Sequence, residues 1–233
     1  MSTPQSSYPA PSHSPVHSPA TTPPATTPAG APEYPPEPWH LTANAYLSLW
    51  TVPAAELPRL PATQRPVTVG GAAFVVTAWF DYLPSGQLSY RELLAAVAVR
   101  GGRTPTGTIT EIWVDSPSSQ AGGRELWAVP KDLADLQLTH GRTVTATAST
   151  AADWVATAAF SPRPSLPARL PMNVAIRQQA ACGPRTAAVR STAKPGAATA
   201  AWNINPDGPL GYLAGRTPVV SAHLSDARIR FGA

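Results

Sequence analysis

Residues 73–82 read Ala73-Phe74-Val75-Val76-Thr77-Ala78-Trp79-Phe80-Asp81-Tyr82, and Leu83-Pro84-Ser85-Gly86 separates them from a second apolar run over residues 87–99. The first run is rich in β-branched and aromatic residues, which fit a pleated, largely buried strand. Proline and glycine close together mark the turn. Two long strands joined in this way set a period of two, and the rest of the chain keeps it. Residues 109–114 make a third strand that ends at Asp115-Ser116-Pro117. Residues 143–149 alternate Thr with Val or Ala, and residues 154–160 repeat the habit after Ala151-Ala152-Asp153. Residues 173–181, 186–192, 199–204 and 219–231 are further strands between Gly- and Pro-containing turns. Helical signals are confined to residues 54–59, 132–136 and 210–213. Many strands with short connections predict a mainly β fold, an antiparallel barrel or sandwich with a few short helices.

The first 38 residues stand apart. They are mainly Pro, Ser, Thr and Ala, with Ser14-Pro15, Ser18-Pro19, Thr22-Pro23 and Thr27-Pro28 repeating one theme. So few apolar residues cannot offset the entropy of ordering, so residues 1–38 are expected to be a disordered tail and residues 39–233 one domain. No Lys or Arg precedes Arg59 and no apolar core follows Met1, which does not fit a signal peptide. No run reaches the roughly 18 apolar residues that span a bilayer. Cys182 is the single cysteine, which fits a reducing cytoplasm. The net charge of +4 comes from scattered arginines without a basic cluster, and predicts no nucleic-acid partner. There is no GxGxxG, P-loop, HExxH or Cys/His cluster, so no cofactor or metal is expected.

Lysine is rare here: Lys131 and Lys194 are two among 17 basic residues. Where arginine fills nearly every cationic position, a retained lysine suggests chemistry that arginine cannot do, because only lysine loses its proton readily. Lys131 closes the run Gly122-Gly123-Arg124-Glu125-Leu126-Trp127-Ala128-Val129-Pro130-Lys131. It is either a Schiff-base lysine lining an apolar pocket or a surface lysine beside a turn proline.

Two segments carry a resemblance. Leu88-Ser89-Tyr90-Arg91-Glu92-Leu93 after the Pro84 turn, and Asp115-Ser116-Pro117 continuing through Gly123-Arg124-Glu125-Leu126-Trp127-Ala128-Val129-Pro130-Lys131, resemble the acetoacetate decarboxylase superfamily in content, order and separation. Pro209-Leu210 to Gly215-Arg216-Thr217-Pro218 is similar to its C-terminal part. The resemblance implies a closed, cone-like antiparallel β-barrel, a homo-oligomer, and an enzyme without cofactor or metal. It further implies that Lys131 attacks a small keto acid to form an imine, which accepts the electrons of a breaking carbon–carbon bond. Decarboxylation is the default reaction. Aldol condensation with dehydration by the same lysine is the alternative, and a non-catalytic barrel binding a small apolar ligand is the rival from another class. Activation of such a lysine by desolvation or a neighbouring cation is a property of acetoacetate decarboxylase itself.

The residues allow tests of this reading. A solvated lysine is neutral only about once in 10³ molecules at pH 7. Burial disfavours the ammonium and can lower the pKa by about 3–5 units. In an extended segment Trp127 and Val129 share a face with Lys131 and supply an apolar lining, with Glu125 beyond it. Glu92 matches the family's acidic active-site residue, and its parity places it with Leu88, Tyr90, Leu94, Ala96 and Ala98 on an inward row. Glu111 shares the parity of Ile109 and Trp113 and is a candidate second pocket carboxylate. Asp132 stands where some members carry a second lysine, and suits an N-cap for a turn starting at Leu133. Asn44 aligns with an arginine that the decarboxylase associates with the substrate carboxylate. His140 and His223 read as ordinary turn or strand histidines.

Overall fold

In the computed structural model, Met1 and Pro32–Ala233 are described, and the expected disorder of residues 2–31 lies outside these. Twelve strands and one α-helix make up the folded part. The strands are β1 (Trp39–Pro53), β2 (Thr68–Val69), β3 (Ala72–Tyr82), β4 (Tyr90–Val99) and β5 (Thr106–Val114), then helix α1 (Pro117–Trp127). After it come β6 (Lys131–Leu133), β7 (Asp135–Thr139), β8 (Val144–Ser149), β9 (Trp154–Pro162), β10 (Leu170–Ala180), β11 (Gly183–Ile204) and β12 (Val220–Phe231). Short 3₁₀ turns at Ala54–Glu56 and Gly211–Leu213 fall where helical signals were read. The third signal, over residues 132–136, is strand instead.

The strands hydrogen-bond in the order β10-β5-β4-β3-β1-β12-β11-β9-β8-β7, and a further pairing of β10 with β11 closes β10, β5, β4, β3, β1, β12 and β11 into a ring. Its one parallel joint in an otherwise antiparallel circuit is the short contact of β10 with β5. β9, β8 and β7 carry the sheet on past β11. Their apolar residues, among them Val144, Ala146, Val155 and Phe160, form one core with Trp50, Val75, Trp79, Leu93 and Val97 on the outer face of β1, β3 and β4. A second core, with Trp39, Leu41, Tyr82, Tyr90, Ile112, Trp127 and Ile229, fills part of the ring interior. The molecule is therefore mainly β, a strand ring backed by a sandwich layer.

β11 serves both halves. Its first part pairs with β10 and its last part with β9. The Pro195-Gly196 pair suggests two separate strands, yet the chain runs through 22 residues without ending. The register with β12 shifts between Thr192 and Lys194, a bulge at which the strand can bend from one partner to the other. Gly196 is needed there, because a Cβ would stand 2.1 Å from the His223 ring. Lys194 accordingly sits in a strand and pairs with Asp226 at 2.9 Å.

The folded unit also begins earlier than Trp39. Trp39 Nε1 donates to the Pro35 carbonyl at 2.7 Å, and Glu37 accepts from the Ala233 backbone at 2.8 Å. Residues 34–38, read as tail, thus cap one end of the domain.

Candidate active site

Ser116 and Pro117 begin the site. Ser116 caps α1 by accepting from the Ser119 backbone N–H at 3.2 Å, and Pro117 occupies the first turn, where its missing N–H costs nothing. Ser119, Gly122, Gly123 and Trp127 form the buried stripe of the helix. Ala128 ends it in the left-handed conformation at φ 57°, and three residues later the chain enters β6, parallel to β5. Lys131 is the first residue of that strand. Gly123 gives the lysine its room: a Cβ there would meet Lys131 Cδ at 2.7 Å.

Lys131 is 6% exposed and Glu92 3%. Nζ donates to Glu92 Oε2 at 2.7 Å, to Ser119 Oγ at 2.8 Å and to Tyr90 Oη at 3.3 Å. An ammonium carries three protons, and each here finds an acceptor. Tyr82 Oη donates to Glu92 Oε1 at 3.2 Å, and its ring stacks on Tyr90 with centroids 4.4 Å apart. Nζ also lies 5.0 Å from the Tyr90 ring centroid and 5.9 Å from that of Trp39, within cation–π range.

This shell reverses the expected direction of the lysine's pKa. Burial is the largest single influence and pulls it down, but the Glu92 carboxylate and Tyr90 together outweigh burial and hold it above its ordinary value. The resting amine is thus an ammonium, its lone pair masked by a proton. Burial, then the charge of Glu92, pushes the Tyr90 hydroxyl up to about 12, so it stays a neutral phenol at neutral pH.

The pair sits at one end of a cavity of about 370 Å³ within the ring. Trp127, Val129, Tyr90, Glu92, Leu94, Ala96 and Ala98 all line it, so the row faces inward from Tyr90 to Ala98, while Leu88 precedes β4 and does not line the cavity. Trp127 and Val129 reach the cavity differently from the extended segment expected: one ends a helix, the other follows its left-handed cap.

Glu111 faces away. The β4–β5 register shifts between Ala95 and Ala96, so Leu94 pairs with Ile112 but Ala96 with Ile109, and both isoleucines line the cavity. The extra residue turns Glu111 to the opposite face, where it accepts from Thr110 at 2.5 Å and from Tyr212 at 3.1 Å. Burial pushes its carboxyl up to about 7. Asn44 is also outside the cavity and accepts from the Asp226 backbone at the β12 bulge. Asp132 points outward to Arg124 at 2.5 Å and caps no helix, since Leu133 continues β6. His140 pairs with Asp81 at 2.7 Å, and His223 meets the Arg163 carbonyl at 2.7 Å.

Ser119 is the site residue that sequence reasoning missed. Its signal was present: Ser116-Pro117 at a strand end is a helix start. The glycine pair at 122 and 123 argued against a helix, and without one Ser119 has no reason to lie four residues from Gly123 on a buried stripe. No described helix is long and apolar enough to cross a membrane.

The sequence matches the family described as acetoacetate decarboxylase over residues 21–188. The acetoacetate decarboxylase of Legionella pneumophila subsp. pneumophila str. Philadelphia 1 shares 17% identity, with a TM-score of 0.65 over 85% of this chain and 86% of that one. The enduracididine biosynthesis enzyme MppR complexed with pyruvate shares 18%, with a TM-score of 0.63 over 85% and 89%. An acetoacetate decarboxylase-like enzyme from Sphingomonas wittichii RW1 shares 15%, with a TM-score of 0.60 over 92% and 97%. Identities this low speak for the fold alone. No curated protein matches the sequence. The family match covers most of the chain and includes both halves of the Glu92–Lys131 pair, and this protein belongs to the acetoacetate decarboxylase family.

Proposed function

We propose that this chain is a Schiff-base lyase that breaks a carbon–carbon bond of a keto acid, with decarboxylation as the reaction and Lys131 as the nucleophile. One observation carries the reading: a lysine amine buried at the end of an apolar cavity, 2.7 Å from a buried carboxylate. Such a pair can pass a proton without solvent. Glu92 takes a proton from the ammonium, and the freed amine adds to the substrate carbonyl. Loss of water leaves a protonated imine, which receives the electron pair of the carboxylate-bearing bond as carbon dioxide departs. Tyr90 and Ser119 then hold the nitrogen's protons while the enamine takes a proton at carbon. The buried indole N–H of Trp127 has no acceptor among the described residues and is a donor available to a substrate oxygen.

A second reading, aldol condensation with dehydration at the same lysine, is favoured by the size of the cavity, which has room for two small carbonyl reactants. The related MppR has been solved with the condensation product of pyruvate and imidazole 4-carboxaldehyde. Release of carbon dioxide separates the two reactions.

The test is borohydride reduction during incubation with acetoacetate, pyruvate and related keto acids, followed by peptide mass analysis. One substrate-derived mass is expected on the Lys131 peptide and none on that of Lys194, whose amine lies outside the cavity in a pair with Asp226. Lys131→Arg keeps a cation and should abolish the adduct. Equal labelling of both lysines, or none at Lys131 across the panel, overturns the proposal.

A further inference from the structure

The cavity is longer than its chemistry requires. Glu92, Leu94, Ala96 and Ala98 all line it, and at about 3.3 Å per residue these positions span about 20 Å. The reactive pair is at the closed end. At the far end the lining residues Pro105 and Val174 are exposed, Val174 by 39%.

Side-chain size changes along this length. Aromatic rings surround the amine: Trp39, Phe80, Tyr82, Tyr90, Trp127 and Phe231. Beyond them the wall made by β3, β4 and β5 carries Ala78, Ala96, Ala98 and Gly107 among its aliphatic residues. Ala78 pairs with Leu94, Val76 with Ala96, and Gly107 with Ala98, so neighbouring strands leave a continuous channel where larger side chains would fill it. The channel has almost no polar character. Among the described residues, Glu92 and Lys131 are its only charged lining residues, and beyond the tyrosines Thr106 is its one hydroxyl. A wall this apolar desolvates without repayment any polar group that lies along it.

Resting on the reading of Lys131 as an imine-forming lysine, we infer that the natural substrate is a carbonyl compound with a long apolar chain, bound carbonyl first. The chain trails through the alanine-lined channel to the mouth between Pro105 and Val174. An extended hydrocarbon of on the order of ten to fifteen carbons spans that length. The covalent step balances without a co-reactant: the carbonyl compound and the lysine ammonium give the protonated imine and one molecule of water.

The experiment uses the full chain with 2-alkanones and 3-oxo acids of four to sixteen carbons, borohydride trapping at Lys131 being the readout. Trapping at limiting concentration should rise with each added methylene, by up to about fourfold per step, and level off once the tail reaches the mouth. Ala96→Phe narrows the channel midway and should lower the ratio of long-chain to short-chain trapping by at least tenfold. Ala98→Phe, nearer the open end where folding is less exposed to overpacking, should move the plateau to shorter chains. Trapping that occurs equally at every length overturns the inference and leaves Lys131 as the nucleophile. Trapping that falls with length, or Ala98→Phe and Ala96→Phe that leave the length profile unmoved, also overturns it. Absence of any adduct overturns the parent reading instead.

Discussion

β1, β3 and β4 are apolar on both faces, yet the faces are finished differently. The outer face is closed: Trp50, Val75, Trp79, Leu93, Ala95 and Val97 are each 0% exposed beneath the layer of β7 to β9. The inner face carries residues of similar polarity, Val76, Ala78, Leu94, Ala96 and Ala98, around a space. Hydrophobicity cannot distinguish them, since both keep water from the sheet. Volume does: Trp50 and Trp79 fill the sandwich, while Ala78, Ala96 and Ala98 leave space inside the ring. One face is packed solid, and the other gives up packing to leave a cavity.

The largest effect should come from the one carboxylate on the inner face. Glu92→Gln removes the proton acceptor beside Lys131, and turnover should fall by about 10²–10⁴-fold. The same change leaves Tyr90 alone to oppose burial, so the amine's pKa should fall. Carbamylation of Lys131 by cyanate at pH 7 should therefore quicken while turnover collapses. If both fall together, the masking role assigned to Glu92 is wrong. In the wild-type protein the raised pKa of Lys131 has a stability counterpart. Its pairing is fully in place below the unfolded lysine's pKa and is lost as pH rises through the higher folded value.

The contrast between faces is broken or upheld by a pair of truncations. Trp79→Ala empties the closed core and should cost about 3–5 kcal/mol by chemical denaturation. Leu94→Ala, which enlarges a space that already exists, should cost about 1 kcal/mol, the low end for a side chain whose burial is incomplete. Similar losses at the two sites would mean that the cavity collapses in solution.

A smaller effect belongs to Glu111, the carboxyl that the bulge places on the outer side. The folded protein holds its proton up to about 7, whereas its ordinary value is 4.5. Between these values the folded state binds a proton that the unfolded chain releases, so stability declines as pH rises through that window. The total is about 2–3 kcal/mol, after allowance for partial exposure. Glu111→Gln keeps an acceptor for Thr110 and Tyr212 without the charge. It should raise the melting temperature at pH 8 and change it little at pH 4.5, and equal shifts at both would remove ionisation as the cause.

Much of this was readable from residues. The β3–β4 hairpin, the inward row from Tyr90 to Ala98 and the singular Lys131 each rest on a local pattern, either period two or scarcity. What escaped depends on partners remote in sequence. Glu111 was assigned to the cavity by parity, and parity fails wherever one strand carries a residue more than its neighbour. α1 was hidden because glycine pairs oppose helices in isolation. Here Gly122 is needed against the Trp39 ring and Gly123 against the Lys131 stem, so tertiary packing decides what propensity disfavours. β1 went unread as a strand, although Leu41, Ala43, Ala45 and Leu47 alternate with Tyr46, Ser48, Trp50 and Val52 once both faces have cores to meet.

β1 and β12, the first and last strands of the domain, lie side by side, with Trp39 opposite Phe231. Their union helps shut the ring, so the cavity has no wall on that side until β12 has joined β1. A nascent chain on the ribosome can zip the β3–β4 hairpin early, because its contacts are local. The cavity wall, unlike the amine's own partners, must wait for a contact between strands remote in sequence, the slowest kind to form. The cavity beside Lys131 is thereby completed late in folding, and a chain cut short before β12 lacks the wall that Ile229 and Phe231 supply.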